Sequence, residues 1–232
     1  MARRKKMLLG VYFFTIIGVI LGVCLGNRAI TVFSEGLSLE DRHCIIIDAG
    51  HGGVDGGATS CTGKPESEIN LEISLRLDDL FHFLGYDTKM IRTEDVSIYT
   101  KGETIAQKKV SDLKERVRIC NETEKGILLS IHQNNYGDSR YSGAQVFYAD
   151  DEESHALAKQ MQTSFLTVNP GSKRQIKKAE GIYLMKHIQC TGVLVECGFL
   201  SNPEEEAKLR TDTYQKQLCC VIATAVCKFL DG

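Results

Sequence analysis

No Cys-x-x-Cys pair occurs in the 232 residues, so the chain encodes no thiolate metal motif or dithiol redox motif of that type, although it carries nine cysteines. Low-complexity tracts, internal repeats and any sign of a second domain are also missing. With 43% hydrophobic and 25% charged residues, what remains is the profile of one folded domain plus an appendage. Positive charge is not in excess: the formal net charge is −2, and −6 once the four basic residues at the N-terminus are set aside, which argues against a nucleic-acid partner. Two nucleotide- and acyl-enzyme-type motifs are incomplete. Gly57 to Lys64 resembles a phosphate loop but has one residue too many between its glycines, and Pro65 stands where Ser or Thr would bind magnesium. Ser111-Asp112-Leu113-Lys114 fits the Ser-x-x-Lys pattern of penicillin-binding enzymes, yet its companion Lys-Thr-Gly is missing.

The appendage is N-terminal. Ala2-Arg3-Arg4-Lys5-Lys6 precedes Met7 to Leu25, nineteen residues without a charge. As a helix rising ~1.5 Å per residue this stretch covers about 28 Å, close to the hydrocarbon thickness of a bilayer. The basic start predicts a cytoplasmic N-terminus and an exported domain. A cleaved signal peptide is the competing reading, but no clear small-residue cleavage site follows, and Val23 is bulky where a lipoprotein signal needs a small residue before Cys24. The expected organisation is therefore residues 1–26 as basic start and transmembrane anchor, 27–42 as linker and 43–232 as the catalytic domain. An exported domain with many cysteines would ordinarily carry disulfides. Here the spacing gives no framework: Cys44 and Cys197 fall in apolar strand-like runs, and Cys219, Cys220 and Cys227 read as small buried hydrophobes of the last helix. The count points to a reducing or anaerobic setting.

Beyond the linker, short apolar runs alternate with amphipathic segments, the rhythm of an α/β domain built as three layers, a mixed, mostly parallel twisted sheet flanked by helices. Strands are predicted at Cys44 to Asp48, Tyr86 to Arg92, Ile127 to Ile131, Gln145 to Ala149, Gly181 to Lys186 and Val193 to Phe199. Helices are predicted at Asn70 to Leu84, stopped by Gly85; from Asp112 as cap, with Leu113, Val117 and Cys120 inward; at Glu152 to Val168, with Ala158, Met161 and Phe165 inward; and at Thr213 to Leu230. Thr93 to Ser111 is polar and unpatterned, a functional rim or a mobile loop.

Ligands of open α/β sheets gather beyond the carboxyl ends of the strands, and His51 and His132 both stand at that end of theirs. A hydrolytic zinc site needs about three nitrogen or carboxylate ligands and one open position for water. His51, Glu66 and His132 supply such a set, with Glu66 just before the helix at Asn70 and able to swing back over the rim. Glu196 is a carboxylate inside the apolar run Val193 to Phe199, where a charge is costly unless paired, and is the candidate proton acceptor. Taken singly, each has a bland explanation: a hydrogen-bonded strand-end histidine, a solvated helix-start acid, or a buried ion-pair member. His43, His82, His155 and His187 read as structural or surface residues.

The segments IIIDAGHGGVDGGA, ESEINLEISLRL, MIRTEDV, LKERVRICN, LLSIHQNN, SGAQVFY and GVLVECGFLSNPEE, in that order, resemble the landmarks of the amidase 3 family of cell-wall hydrolases. The likeness runs from about Cys44 to Leu230. It implies that His51, Glu66 and His132 bind Zn2+, that Glu196 is the catalytic glutamate, and that the substrate is the amide joining N-acetylmuramic acid to L-alanine in peptidoglycan. Within the family the chain looks most like the short, germination-specific CwlD-type amidases of sporulation, which share the anchor and the GIYLMK segment. That likeness implies stem-peptide removal during cortex synthesis ahead of a deacetylase that forms muramic lactam, a location between the forespore membranes, and room for an activating partner protein. Gln133 departs from the small or apolar residue usual at its position. Asn134 is a candidate substrate contact with an ordinary turn role as its alternative, and Arg92 reads as fastening the sheet edge through an ion pair. The rival functions are a zinc peptidase cutting within the stem peptide and a non-catalytic wall-binding protein.

Overall fold

The computed structural model describes residues 42–232. The expected anchor at Met7 to Leu25 and nearly all of the linker lie outside them, and among the described residues no helix is long and apolar enough to cross a membrane. A six-stranded sheet runs in the order β2-β1-β3-β6-β4-β5, with β1 at Cys44–Ala49, β2 at Asp87–Met90, β3 at Gly126–Asn134, β4 at Gln145–Tyr148, β5 at Lys177–Lys178 and β6 at Thr191–Phe199. β2, β1, β3 and β6 are parallel; β4 is antiparallel to β6 and parallel to β5. The sheet is mixed and mostly parallel, as expected.

Both faces of the sheet are covered, which is why its strands read as unbroken apolar runs rather than alternating ones. Ile45, Ile47, Leu129 and Val195 point into one core with helices α1 (Glu66–Phe83), α3 (Glu152–Phe165) and α6 (Asp212–Leu230). Ile46, Leu128 and Leu194 point into a second core with α2 (Ile105–Asn121) and α4 (Tyr183–His187). Along α1, Ile69, Ile73, Leu77 and Phe81 are fully buried at four-residue spacing. The helix ends where Gly85 takes φ 84°, a left-handed value that glycine adopts without a Cβ clash.

Five local expectations are corrected or extended. Glu66 is the first residue of α1 rather than a residue ahead of it, because Pro65 at φ −72° and ψ 149° sets an extended entry into the helix. α2 is capped by Thr104, not Asp112: Thr104 and Gln107 form a reciprocal capping box, which adds two helical turns to what was read as polar loop. Gly181 to Lys186 is not a strand. Tyr183–His187 forms the short α4, with Tyr183 and His187 stacked one turn apart at a centroid distance of 4.0 Å. α5 (Pro203–Leu209), which opens on Asn202 accepting from Glu204 and Glu205 amides, was not anticipated. Cys220, read as buried, is exposed, whereas Cys219 beside it is buried.

Candidate metal centre

The centre forms where β1 and β3 end side by side, and its backbone is held by two buried guanidinium groups. Arg116 of α2 pairs closely with Asp48, the fifth residue of β1, and donates to Asp112 Oδ2 at 2.6 Å, Ala49 O at 3.1 Å and His51 O at 2.8 Å. Ser130 Oγ donates to the other Asp48 oxygen at 2.7 Å. Burial alone would raise the Asp48 carboxyl, but the Arg116 charge outweighs it and holds the group below its ordinary range. Arg92 donates to Ala49 O at 2.8 Å, Gly50 O at 3.0 Å, Ser67 O at 3.0 Å and Glu94 O at 2.9 Å. Its partners are carbonyls rather than the acid expected for it, because the chain leaving β1 turns its peptide oxygens toward the interior. These bonds fix His51 at φ 61°, a conformation that costs a non-glycine residue about 1–3 kcal/mol.

His51, Glu66 and His132 come together, each offering one ligand-type atom, and these atoms all lie within 4.8 Å of one another. Glu66 Oε2 is 3.3 Å from His51 Nε2, Glu66 Oε1 is 2.9 Å from His132 Nδ1, and the imidazoles meet edge to face at 4.9 Å between centroids. Asp55 Oδ2 holds His51 Nδ1 at 3.0 Å, which turns Nε2 toward the centre, and Lys109 Nζ lies 3.0 Å from the same oxygen. Burial opposes charge on His51, but Glu66 and Asp55 outweigh it and raise its pKa. For Glu66 the burial penalty is outweighed by hydrogen bonds from His132 and His51, and its pKa is depressed.

Glu66 is itself fixed by its neighbours. Asn70 Nδ2 and the Gln133 amide donate to Oε1 at 3.1 and 3.0 Å, and the Ala58 amide donates to Oε2 at 3.0 Å. Gln133, flagged for its unusual side chain, is buried behind this carboxylate and donates Nε2 to Asn70 Oδ1 at 3.3 Å. There is no room for larger residues around the three groups. A Cβ at Gly50 would stand 2.3 Å from the His132 ring, and one at Gly57 would stand 2.6 Å from Glu66 Oε2 and from the His51 ring. Two imidazoles and one carboxylate converging with an accessible side are the donor set of a hydrolytic zinc site, so these residues fit the ion.

Glu196 lies beside His132 in the β3–β6 register. Its Oε2 is buried and has no hydrogen-bond partner among the described residues, the isolation that the surrounding apolar run suggested. Burial pushes the carboxyl up to about 7, with the nearby Glu66 charge adding to the shift and the two histidines opposing it. A carboxyl in that range exchanges a proton near neutral pH. Asn134 ends β3 opposite Phe199, and its carbonyl accepts from Leu200 at 2.7 Å, so its backbone role is structural, while its side chain is half-buried. The roles of Asp55, Asn70, Arg116 and Lys109 were not read from the sequence. Only Asp55 carried a local signal, four residues after His51 in a glycine-rich turn; the others act across the fold.

A profile of the N-acetylmuramoyl-L-alanine amidase family matches residues 45–228. The germination-specific N-acetylmuramoyl-L-alanine amidase of Bacillus subtilis (strain 168) is 34% identical, over 80% of this chain and 78% of its own length. Among solved structures, the CwlD amidase from Clostridioides difficile, in complex with the GerS lipoprotein, is 36% identical with a TM-score of 0.79, over 82% of this chain and 99% of that one. An N-acetylmuramoyl-L-alanine amidase from Clostridium difficile 630 is 27% identical with a TM-score of 0.73, over 83% of this chain and 98% of that one.

Proposed function

Because the chain belongs to the N-acetylmuramoyl-L-alanine amidase family, we propose that it hydrolyses the amide between the lactyl group of N-acetylmuramic acid and L-alanine with zinc bound by His51, Glu66 and His132 and with Glu196 as proton carrier. The observation that supports this most is the convergence of three ligand-type groups beside a half-buried glutamate, one of whose carboxylate oxygens is buried without a hydrogen-bond partner among the described residues. A zinc ion there supplies Lewis-acid polarisation of the scissile carbonyl and acidifies water. The protein does the rest. Asp55 orients His51, the Asn70, Gln133 and Ala58 donors hold Glu66, and the Glu196 carboxylate accepts the proton of the attacking water. The same carboxyl group then returns that proton to the alanine nitrogen as the carbon–nitrogen bond breaks. Asn134, two residues after His132 on β3, is assigned as a substrate hydrogen-bonding group.

Metal analysis tests the ligand set. Purified wild-type protein is expected to hold one zinc per chain, and His132→Ala to lose most of it while keeping its far-UV circular dichroism. Equal zinc in both proteins would remove His132 from the centre.

The likeness to a germination-specific amidase supports a role in removing stem peptides from spore cortex, upstream of a deacetylase. The likeness to an amidase whose structure is solved in complex with a lipoprotein supports a protein partner. Met7 to Leu25 serves as an uncleaved anchor that leaves the catalytic domain outside the cytoplasm. Cell fractionation with N-terminal sequencing is expected to find the intact chain in membranes, and a soluble form starting near Asn27 would defeat the anchor.

A further inference from the structure

Two cysteines far apart in sequence meet on the α2 side of the sheet. Asn121, the last residue of α2, donates Nδ2 to His187 O at 3.1 Å and accepts from the Gln189 amide at 2.8 Å, so the end of α2 is stitched to the connection between α4 and β6. Next to these partners stand Cys120 and Cys190. They share an apolar cluster with Leu128 and Met185 and line one cavity of about 350 Å³. Their side chains thus face the same space between the end of α2 and the start of β6. Cys120 is fully buried, whereas Cys190 is half-buried and also borders a larger cavity of about 960 Å³ beside Lys178 and Glu180. A reagent from solvent therefore reaches Cys190 first.

We propose that Cys120 and Cys190 are a disulfide-forming pair, a modification site separate from the metal centre, which takes a small-molecule disulfide as its oxidant and locks α2 to the start of β6. The Cys190 thiolate attacks one sulfur of the external disulfide, whose sulfur–sulfur bond breaks and whose other half leaves as a thiol after taking up a proton. Cys120 then loses its proton, attacks Cys190 Sγ in the mixed disulfide and releases the second half as a thiol. Two protein thiols are oxidised and one small disulfide is reduced to two thiols. The order of attack follows from exposure: Cys190 is half-buried and borders the larger cavity, whereas Cys120 is fully buried behind it.

The lock matters because α2 also carries Arg116, which holds His51 O, and Lys109, which contacts Asp55. Closing a loop of roughly 70 residues restricts the unfolded chain, so the thermal midpoint is expected to rise by on the order of 5–10 °C on oxidation. The test exposes the purified full chain to oxidised glutathione, alkylates the remaining thiols, and maps non-reduced peptides by mass spectrometry alongside thermal melting. The expected result is one cross-link, between the Cys120 and Cys190 peptides, with a raised midpoint in wild type and no rise in Cys120→Ser or Cys190→Ser. Glutathione left attached to Cys190, both thiols alkylated with no cross-link, or a cross-link to Cys61 or Cys220 instead would overturn the assignment.

Discussion

Glu196→Gln is expected to lower the rate of stem-peptide release by ~10²- to 10⁴-fold, the usual contribution of a positioned general base, while leaving zinc content and thermal midpoint near wild type. The amide matches the carboxylate in shape but cannot accept the proton. Stability should hold because Glu196 Oε2 makes no hydrogen bond that the substitution could break. Removing a group that burial already strains toward its neutral form also removes a desolvation cost. A structural ion-pair member would behave in the opposite way, losing stability before activity. Turnover, metal content and melting must therefore be measured on the same preparations, and near-wild-type turnover in a zinc-loaded variant would rule out the role.

The second large effect is on stability. Arg116→Met is expected to destabilise the domain by ~3–5 kcal/mol, because it leaves Asp48 charged and buried with Ser130 as its remaining side-chain donor. For a domain of this size that corresponds to a fall in thermal midpoint on the order of 10 °C. Activity should fall as well, since His51 loses the donor to its carbonyl. The pH dependence has a definite sign. The folded Asp48 carboxyl is held below its unfolded value of about 4, so its contribution is present above that value and fades as the pH falls through the folded one. Wild type should therefore lose stability on acidification below about pH 4 more steeply than Arg116→Met does. A shift of under ~1 kcal/mol in denaturant titration would place the pair among weak surface contacts and contradict its structural role.

The apolar runs at β1, β3 and β6 announced the sheet because strands covered on both faces need no alternation, and that same feature put His51 and His132 at one rim. Helix starts were harder to place. The Thr104–Gln107 box and the Pro65–Glu66 entry are both written in the sequence, yet each lies ahead of the first apolar position that periodicity detects. Tyr183–His187 was misread because five residues with buried Leu184 and Met185 satisfy a strand pattern as well as a helical turn. Nothing local marks β4 as antiparallel to β6; that direction follows from the chain reversing between β3 and β4. Within the centre, the groups that face the ion were legible from their chemical type. The groups that hold them were not, since Asn70, Gln133 and Arg116 act through contacts as much as 68 residues apart in sequence.

Mass spectrometry of the products released from purified peptidoglycan by the zinc-loaded enzyme bears most directly on the proposed reaction. The predicted result is glycan strands carrying free muramic lactyl carboxylates, together with intact stem peptides that begin with a new L-alanine amino group, with both released at least ~100-fold more slowly by Glu196→Gln. Peptides cut at an internal bond, with L-alanine still attached to muramic acid, would contradict the amidase mechanism and assign the same centre to a peptidase.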